Sequence, residues 1–98
     1  MKEKIVIHIS PEVIDLVPGY ISHRLSDIPL IREHLNNGRF EEIKVMGHKM
    51  KGGGGLYNMD QVTILGDKIE KAAIAKESAV IEEAVGLLEE YLNSIEVV

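Results

Sequence analysis

Residues 40–57 read Phe-Glu-Glu-Ile-Lys-Val-Met-Gly-His-Lys-Met-Lys-Gly-Gly-Gly-Gly-Leu-Tyr. Within them Phe40, Ile43, Met46, Met50, Gly54 and Tyr57 recur at steps of three and four. That period belongs to one face of a helix, so the stretch predicts a helix over about 40–57 with Met50 at the centre of its buried face. On a wheel of 100° per residue Ile43, Met46, Gly54 and Tyr57 fall within about 40° of Met50, whereas His48 points about 160° away. Gly52 and Gly55 lie within about 40° of the histidine, and Lys44, Lys51 and Val45 within about 60°. An imidazole facing solvent, with bare backbone beside it and ammonium groups around it, is the picture these residues draw.

The same period extends to both sides. Val17, Ile21, Leu25, Ile28, Ile31 and Leu35 define a helix over about 18–36, with Pro29 expected to kink it and Asn36, Asn37 and Gly38 to end it in a left-handed cap. Upstream, Ser10, Pro11 and Glu12 predict a short extra helix over about 11–17. The β-prone run Lys4 to Ile9 stands alone, so residues 1–10 are expected to be an extended lead-in with no strand to pair with. Downstream, Asn58 and Gln61 suggest a capping box opening a helix with Val62, Leu65, Ile69, Ala72 and Ala73 inward. Ser78 would cap a last helix striped by Ile81, Val85, Leu88, Leu92 and Ile95. Short connections between such helices point to an all-α, antiparallel up-down four-helix bundle with a short N-terminal helix, filling residues 11–97 of one domain that spans 1–98.

Composition limits what such a domain can do. Its 98 residues are too few for an enzyme with its own cofactor domain. Eleven Lys and Arg against sixteen Asp and Glu leave a net charge of −5, which argues against general binding to nucleic acid or an anionic membrane. There is no Cys, hence no disulfide, thiolate nucleophile or thiolate metal site. That suits a cytoplasmic protein, as does the lack of a membrane-spanning apolar run. His8, His23 and His34 show no metal-ligand spacing, and the lysines precede the glycine run, opposite to a phosphate-binding loop.

Four consecutive glycines inside a helix would cost roughly 3 to 4 kcal/mol, a large sacrifice in a small domain. Close helix packing accounts for Gly54 and part of Gly53. Gly52 and Gly55 sit on the open side, where their use is to let another surface approach His48. Lys44, Lys49 and Lys51, with no acid between Ile43 and Met59, make a local patch of +3 that suits a phosphoryl group or an acidic partner. Val45 and Leu56 are either ordinary exposed apolar residues or the rim of a docking surface.

The run His48-Lys49-Met50-Lys51-Gly52, followed by small residues, resembles the His-x-x-Lys-Gly signature of histidine-containing phosphotransfer (HPt) domains. Asn37 to Ile43 and Leu65 to Ala72 look like that family's flanking pattern, and the likeness extends over about 15–95. It departs at Gly53 and Gly54, where the family commonly has Ser or Ala. The resemblance implies that His48 accepts a phosphoryl group, that Lys51 offers a cation to it, and that Gly52 clears the approach. Glu70 matches a position whose side chain orients the imidazole. It further implies that the chain is a phosphocarrier of a two-component phosphorelay rather than an enzyme with its own turnover. Its partners would be a hybrid histidine kinase and response-regulator receivers, the Mg²⁺ belonging to the receiver and no cofactor to this chain. Lys44, Val45, Lys49 and Leu56 would then be partner contacts. Two rivals stand beside this reading: a small helical adaptor docking a protein without phosphorylation, and a metal-assisted hydrolase built on His48 and Glu70.

Overall fold

The computed structural model describes residues 4–97. Helices dominate it: α1 (Val17–Asn36), α2 (Phe40–Gly53), α3 (Asp60–Ile74) and α4 (Ser78–Ser94). Short strands β1 (Ile5–Ile7) and β2 (Ile95–Val97) flank them, and 3-10 turns occupy Ile14–Leu16 and Gly54–Tyr57. Helix α2 packs on α3, α3 on α4, and α1 on both α2 and α4, so the four surround one core. Ile28 and Ile31 of α1, Ile43 and Met50 of α2, Val62 and Ile69 of α3, and Ile81 and Leu88 of α4 are almost wholly buried. With a single Phe and no Trp in the chain, the packing is aliphatic.

The N-terminal segment departs from the sequence-based expectation. No helix spans 11–17; the backbone makes a turn, closed by the Val13 N–H donating to the Ser10 carbonyl at 3.1 Å, and then the 3-10 segment. The Ser10 hydroxyl donates to the Glu12 carboxylate instead of capping a helix. Ile14 and Leu16 stay exposed and Val13 alone of residues 11–16 packs against the core, so a longer helix here would have little apolar surface to stabilise it. Pro18 falls in the first turn of α1, where its missing N–H is harmless, and α1 continues as one helix through Pro29.

Nor is the β-prone run unpaired. Within the described residues β1 lies parallel to β2, with Ile5 opposite Ile95, Val6 opposite Glu96 and Ile7 opposite Val97. Helix α4 therefore stops at Ser94 rather than running to 97, and Ile95 takes an extended conformation. Ile7 and Ile9 are buried in the core. Residues 1–3 of the expected lead-in, and Val98, lie outside the described residues.

The helix ends also redistribute their partners. Gly38 (φ 67°) closes α1 with the Arg39 N–H on the His34 carbonyl at 2.8 Å and its own N–H on Leu35, a Schellman cap at the expected position. Lys76 (φ 57°) closes α3 the same way, through the Glu77 N–H on the Ala72 carbonyl at 2.8 Å. Asn58 and Ser78 do not cap. Asn58 is itself left-handed (φ 54°) and its amide donates to the His8 carbonyl at 2.9 Å, while Ser78 is already inside α4 behind Glu77.

One charged side chain is buried among the described residues. Asp27 of α1 pairs with Arg24, Oδ2 to Nε at 3.1 Å, and the guanidinium in turn sits over the Tyr20 ring. Burial raises the Asp27 carboxyl above its ordinary 3.8, with Arg24, His23 and Lys49 pulling the other way. Between the unfolded and folded values the native state holds the extra proton, so Asp27 makes stability fall as pH rises through that window. Denaturation curves collected between about pH 3 and pH 7 should therefore show a shallower fall for Asp27→Asn than for the native chain. Parallel curves would mean that Asp27 titrates as it does in the unfolded chain.

Candidate functional site

The site is built where α2 crosses α3. A Cβ at Gly47 would stand 2.7 Å from the Glu70 backbone nitrogen and 2.8 Å from the Gly66 carbonyl. A Cβ at Gly66 would stand 2.7 Å from the Lys51 backbone nitrogen and 2.8 Å from Met50 Cβ. The two backbones thus touch through a pair of glycines, each leaving room for the other helix. The residue after each glycine is brought to the partner helix. His48, after Gly47, places Nδ1 3.0 Å from Glu70 Oε2. Asp67, after Gly66, places Oδ1 3.0 Å from Lys51 Nζ.

Four side chains are joined by this crossing. Glu70, with an 18 % exposed side chain, presents one oxygen to His48 and the other, at 3.7 Å, to Lys51. Asp67 shares itself between Lys51 and Lys71, whose Nζ lies 2.9 Å from Oδ2. The Lys51 amine is held protonated above its ordinary range, first by its hydrogen bond and charge contact with Asp67, with Glu70 adding to it. The Asp67 carboxyl is held below its ordinary range by hydrogen bonds from Lys71 and Lys51. A carboxylate can only accept, so the neutral imidazole carries its proton on Nδ1 and keeps a lone pair on Nε2. The His48 side chain is 72 % exposed, which leaves that nitrogen available to an incoming electrophile.

The glycine run divides by what surrounds it. Gly53 lies against α1, where a Cβ would meet Tyr20 Cε1 at 3.4 Å, and Tyr20 in turn packs on the Tyr57 ring at 4.3 Å between centroids. Gly54 is buried and a Cβ there would collide with Thr63 Oγ1 and, at 2.9 Å, with the Met59 carbonyl. Gly52 and Gly55 have open space where a side chain would be. The α-helix ends at Gly53, so Gly54 and Gly55 belong to the 3-10 turn. The expected glycine cost of 3 to 4 kcal/mol therefore shrinks to roughly 2 kcal/mol, for the two glycines still in the α-helix.

The lysine patch is less positive than the local sequence implies. Lys44 pairs with Glu41 at 3.1 Å and Lys51 with Asp67 and Glu70, all acids from outside the stretch 43–59. Lys49 is exposed and acts on the buried Asp27 carboxyl. The surplus of three charges is thus largely compensated in space. Val45, 46 % exposed, lines an open groove of about 380 Å³ with His34, Glu41, Glu42 and Met46, between α1 and α2. Leu56, in the 3-10 turn, is 64 % exposed. The structure therefore joins His48, Lys51 and Glu70 in one contact network and leaves Lys44, Val45, Lys49 and Leu56 on its flanks.

Sequence reasoning missed Gly47, Gly66, Asp67 and Lys71. A signal existed for the first two, since Gly47 falls on the inward side of its wheel and Gly66 lies between Leu65 and Ile69. Among the described residues no group of three or more His, Asp or Glu is placed to hold a metal ion, and no helix is long and apolar enough to cross a membrane. In comparison with protein-family models, curated proteins and solved structures, nothing matches the chain.

Proposed function

We propose that this protein is a histidine phosphocarrier of a two-component phosphorelay, with His48 as the acceptor. The observation that carries the reading is the pairing of His48 Nδ1 with Glu70 at 3.0 Å on an imidazole that is otherwise 72 % exposed. One ring nitrogen is oriented and the other is free, beside a lysine and next to a backbone with no side chains in the way. The four helices are read as an antiparallel up-down bundle, supported by the tight Schellman turns between α1 and α2 and between α3 and α4.

In this reading the Nε2 lone pair attacks the phosphorus of a receiver's aspartyl phosphate. The N–P bond forms, the P–O bond breaks, and the aspartate carboxylate leaves with the bonding electrons. The proton on Nδ1 stays there, and Glu70 stabilises the positive charge that the ring gains. Reversal of the same step passes the group to the next receiver. Positioning and charge are the whole of this chain's contribution, since the Mg²⁺ belongs to the receiver. The protein is then a cytoplasmic carrier, and its partners are receiver domains and a hybrid kinase.

Incubation with a phosphorylated receiver is expected to transfer an acid-labile, base-stable label to the protein, and His48→Ala is expected to reduce it to background. Undiminished labelling of that variant would remove His48 from the mechanism.

A further inference from the structure

We propose that Asp67 is a positioning residue for the phosphoryl group, restraining Lys51 on α3 until a phosphoryl group on His48 draws the lysine away. The inference rests on the phosphocarrier reading above. Lys51 lies three residues after His48, hence on the same side of α2, yet its amine is engaged by Asp67 at 3.0 Å and stands at 3.7 Å from Glu70. An arriving phosphoryl group must compete with Asp67 for this cation. Lys71 makes the exchange feasible. It holds the other Asp67 oxygen at 2.9 Å, so releasing Lys51 leaves the carboxylate with a counter-ion. Asp67 and Lys71 are one turn apart on α3, a spacing that keeps them together whatever Lys51 does.

The two residues on α3 therefore act in opposite directions. Without the Asp67 charge, Lys51 is free to meet the phosphoryl group. Without Lys71, Asp67 has Lys51 alone and holds it more firmly. A purely structural role gives no such opposition, because Asp67 and Lys71 are both solvent-accessible and neither fills the core.

The experiment uses phosphoramidate, a small donor that needs no partner. Its P–N bond breaks as the His48 N–P bond forms, and ammonia leaves with the proton already present on the donor nitrogen. Asp67→Asn is expected to raise the labelling rate roughly twofold to fivefold, the range one ion-pair partner commands at a half-exposed site. Lys71→Met is expected to lower it by a similar factor, and in a Lys51→Met background Asp67→Asn should change nothing. Labelling at His48 that is unchanged or slowed in Asp67→Asn overturns the role of Asp67 while leaving the carrier function standing. No label on His48 of the native chain overturns the carrier reading and this inference together. Titration of the Lys51 amine by NMR gives an independent check: its apparent pKa should fall in Asp67→Asn, and an unmoved value would show that the pair does not form.

Discussion

In Gly47→Ala, one added methyl group is expected to lower the thermal midpoint by roughly 10 °C and to slow labelling of His48. The methyl would stand 2.7 Å from the Glu70 backbone nitrogen and 2.8 Å from the Gly66 carbonyl. Neither neighbour is the end of a flexible side chain, so the helices must separate. Overpacking of this kind costs about 3 kcal/mol, while the better helix propensity of Ala returns up to about 1 kcal/mol, leaving a net loss of about 2 kcal/mol. Functionally, any separation of α2 from α3 lengthens the His48 to Glu70 contact first, because Glu70 is the residue struck. Gly86→Ala is the matched control. Gly86 lies within α4 with nothing near its missing side chain, and there the same substitution should raise the midpoint. Circular dichroism melts of the two variants check the pair, and a rise in both would show that the crossing tolerates a side chain.

Gly52→Gln is expected to separate stability from transfer. At Gly52 no atom lies within 4 Å of where a Cβ would stand, so a side chain can begin there without a clash and gains up to about 1 kcal/mol of helix propensity, less in a last turn than in a helix interior. The same side chain stands beside the exposed imidazole, where a receiver must bring its phosphoryl group into line. Misplacement of about 1 Å in such an approach slows transfer on the order of a hundredfold. Phosphoramidate is small enough to reach Nε2 past the glutamine, so labelling by it should change far less than transfer from a receiver. A melt, a receiver-transfer assay and a phosphoramidate assay on one preparation read all three quantities. Equal slowing with both donors would mean that the introduced glutamine disturbs the imidazole itself rather than the approach to it.

The parts of the structure legible in the sequence are those that repeat along the chain. Val62, Leu65, Ile69, Ala72 and Ala73 are all buried as their spacing implies, as are Ile81, Val85, Leu88 and Leu92. Gly38 takes the left-handed conformation that its position after Asn36 and Asn37 suggests. What failed were local signals with a tertiary competitor. Asn58 has the right spacing to Gln61 for a capping box, but its amide is drawn to His8, fifty residues away in the chain. Lys4 to Ile9 looked unpartnered because Ile95, Glu96 and Val97 read as the end of a helical stripe, and only folding brings the two ends of the chain together. Charge misled in part: Lys51 acquires Asp67 and Glu70 from α3, while Lys44 pairs with Glu41 one turn before it on α2.

By itself, the sequence determined that helices form, which faces they bury, and that His48 stands on the outer face of its helix beside unoccupied backbone. Those properties follow from a 3.6-residue period and from the residue types on it, and they hold for each helix separately. The family resemblance already pointed to Glu70 as the imidazole's partner, and only the tertiary structure decided which nitrogen of that histidine it holds and who owns the neighbouring lysine. Such contacts depend on the distance and angle between two helices, which Gly47 and Gly66 set by letting the backbones meet. A pattern along one chain segment carries no information on that distance until both segments are packed.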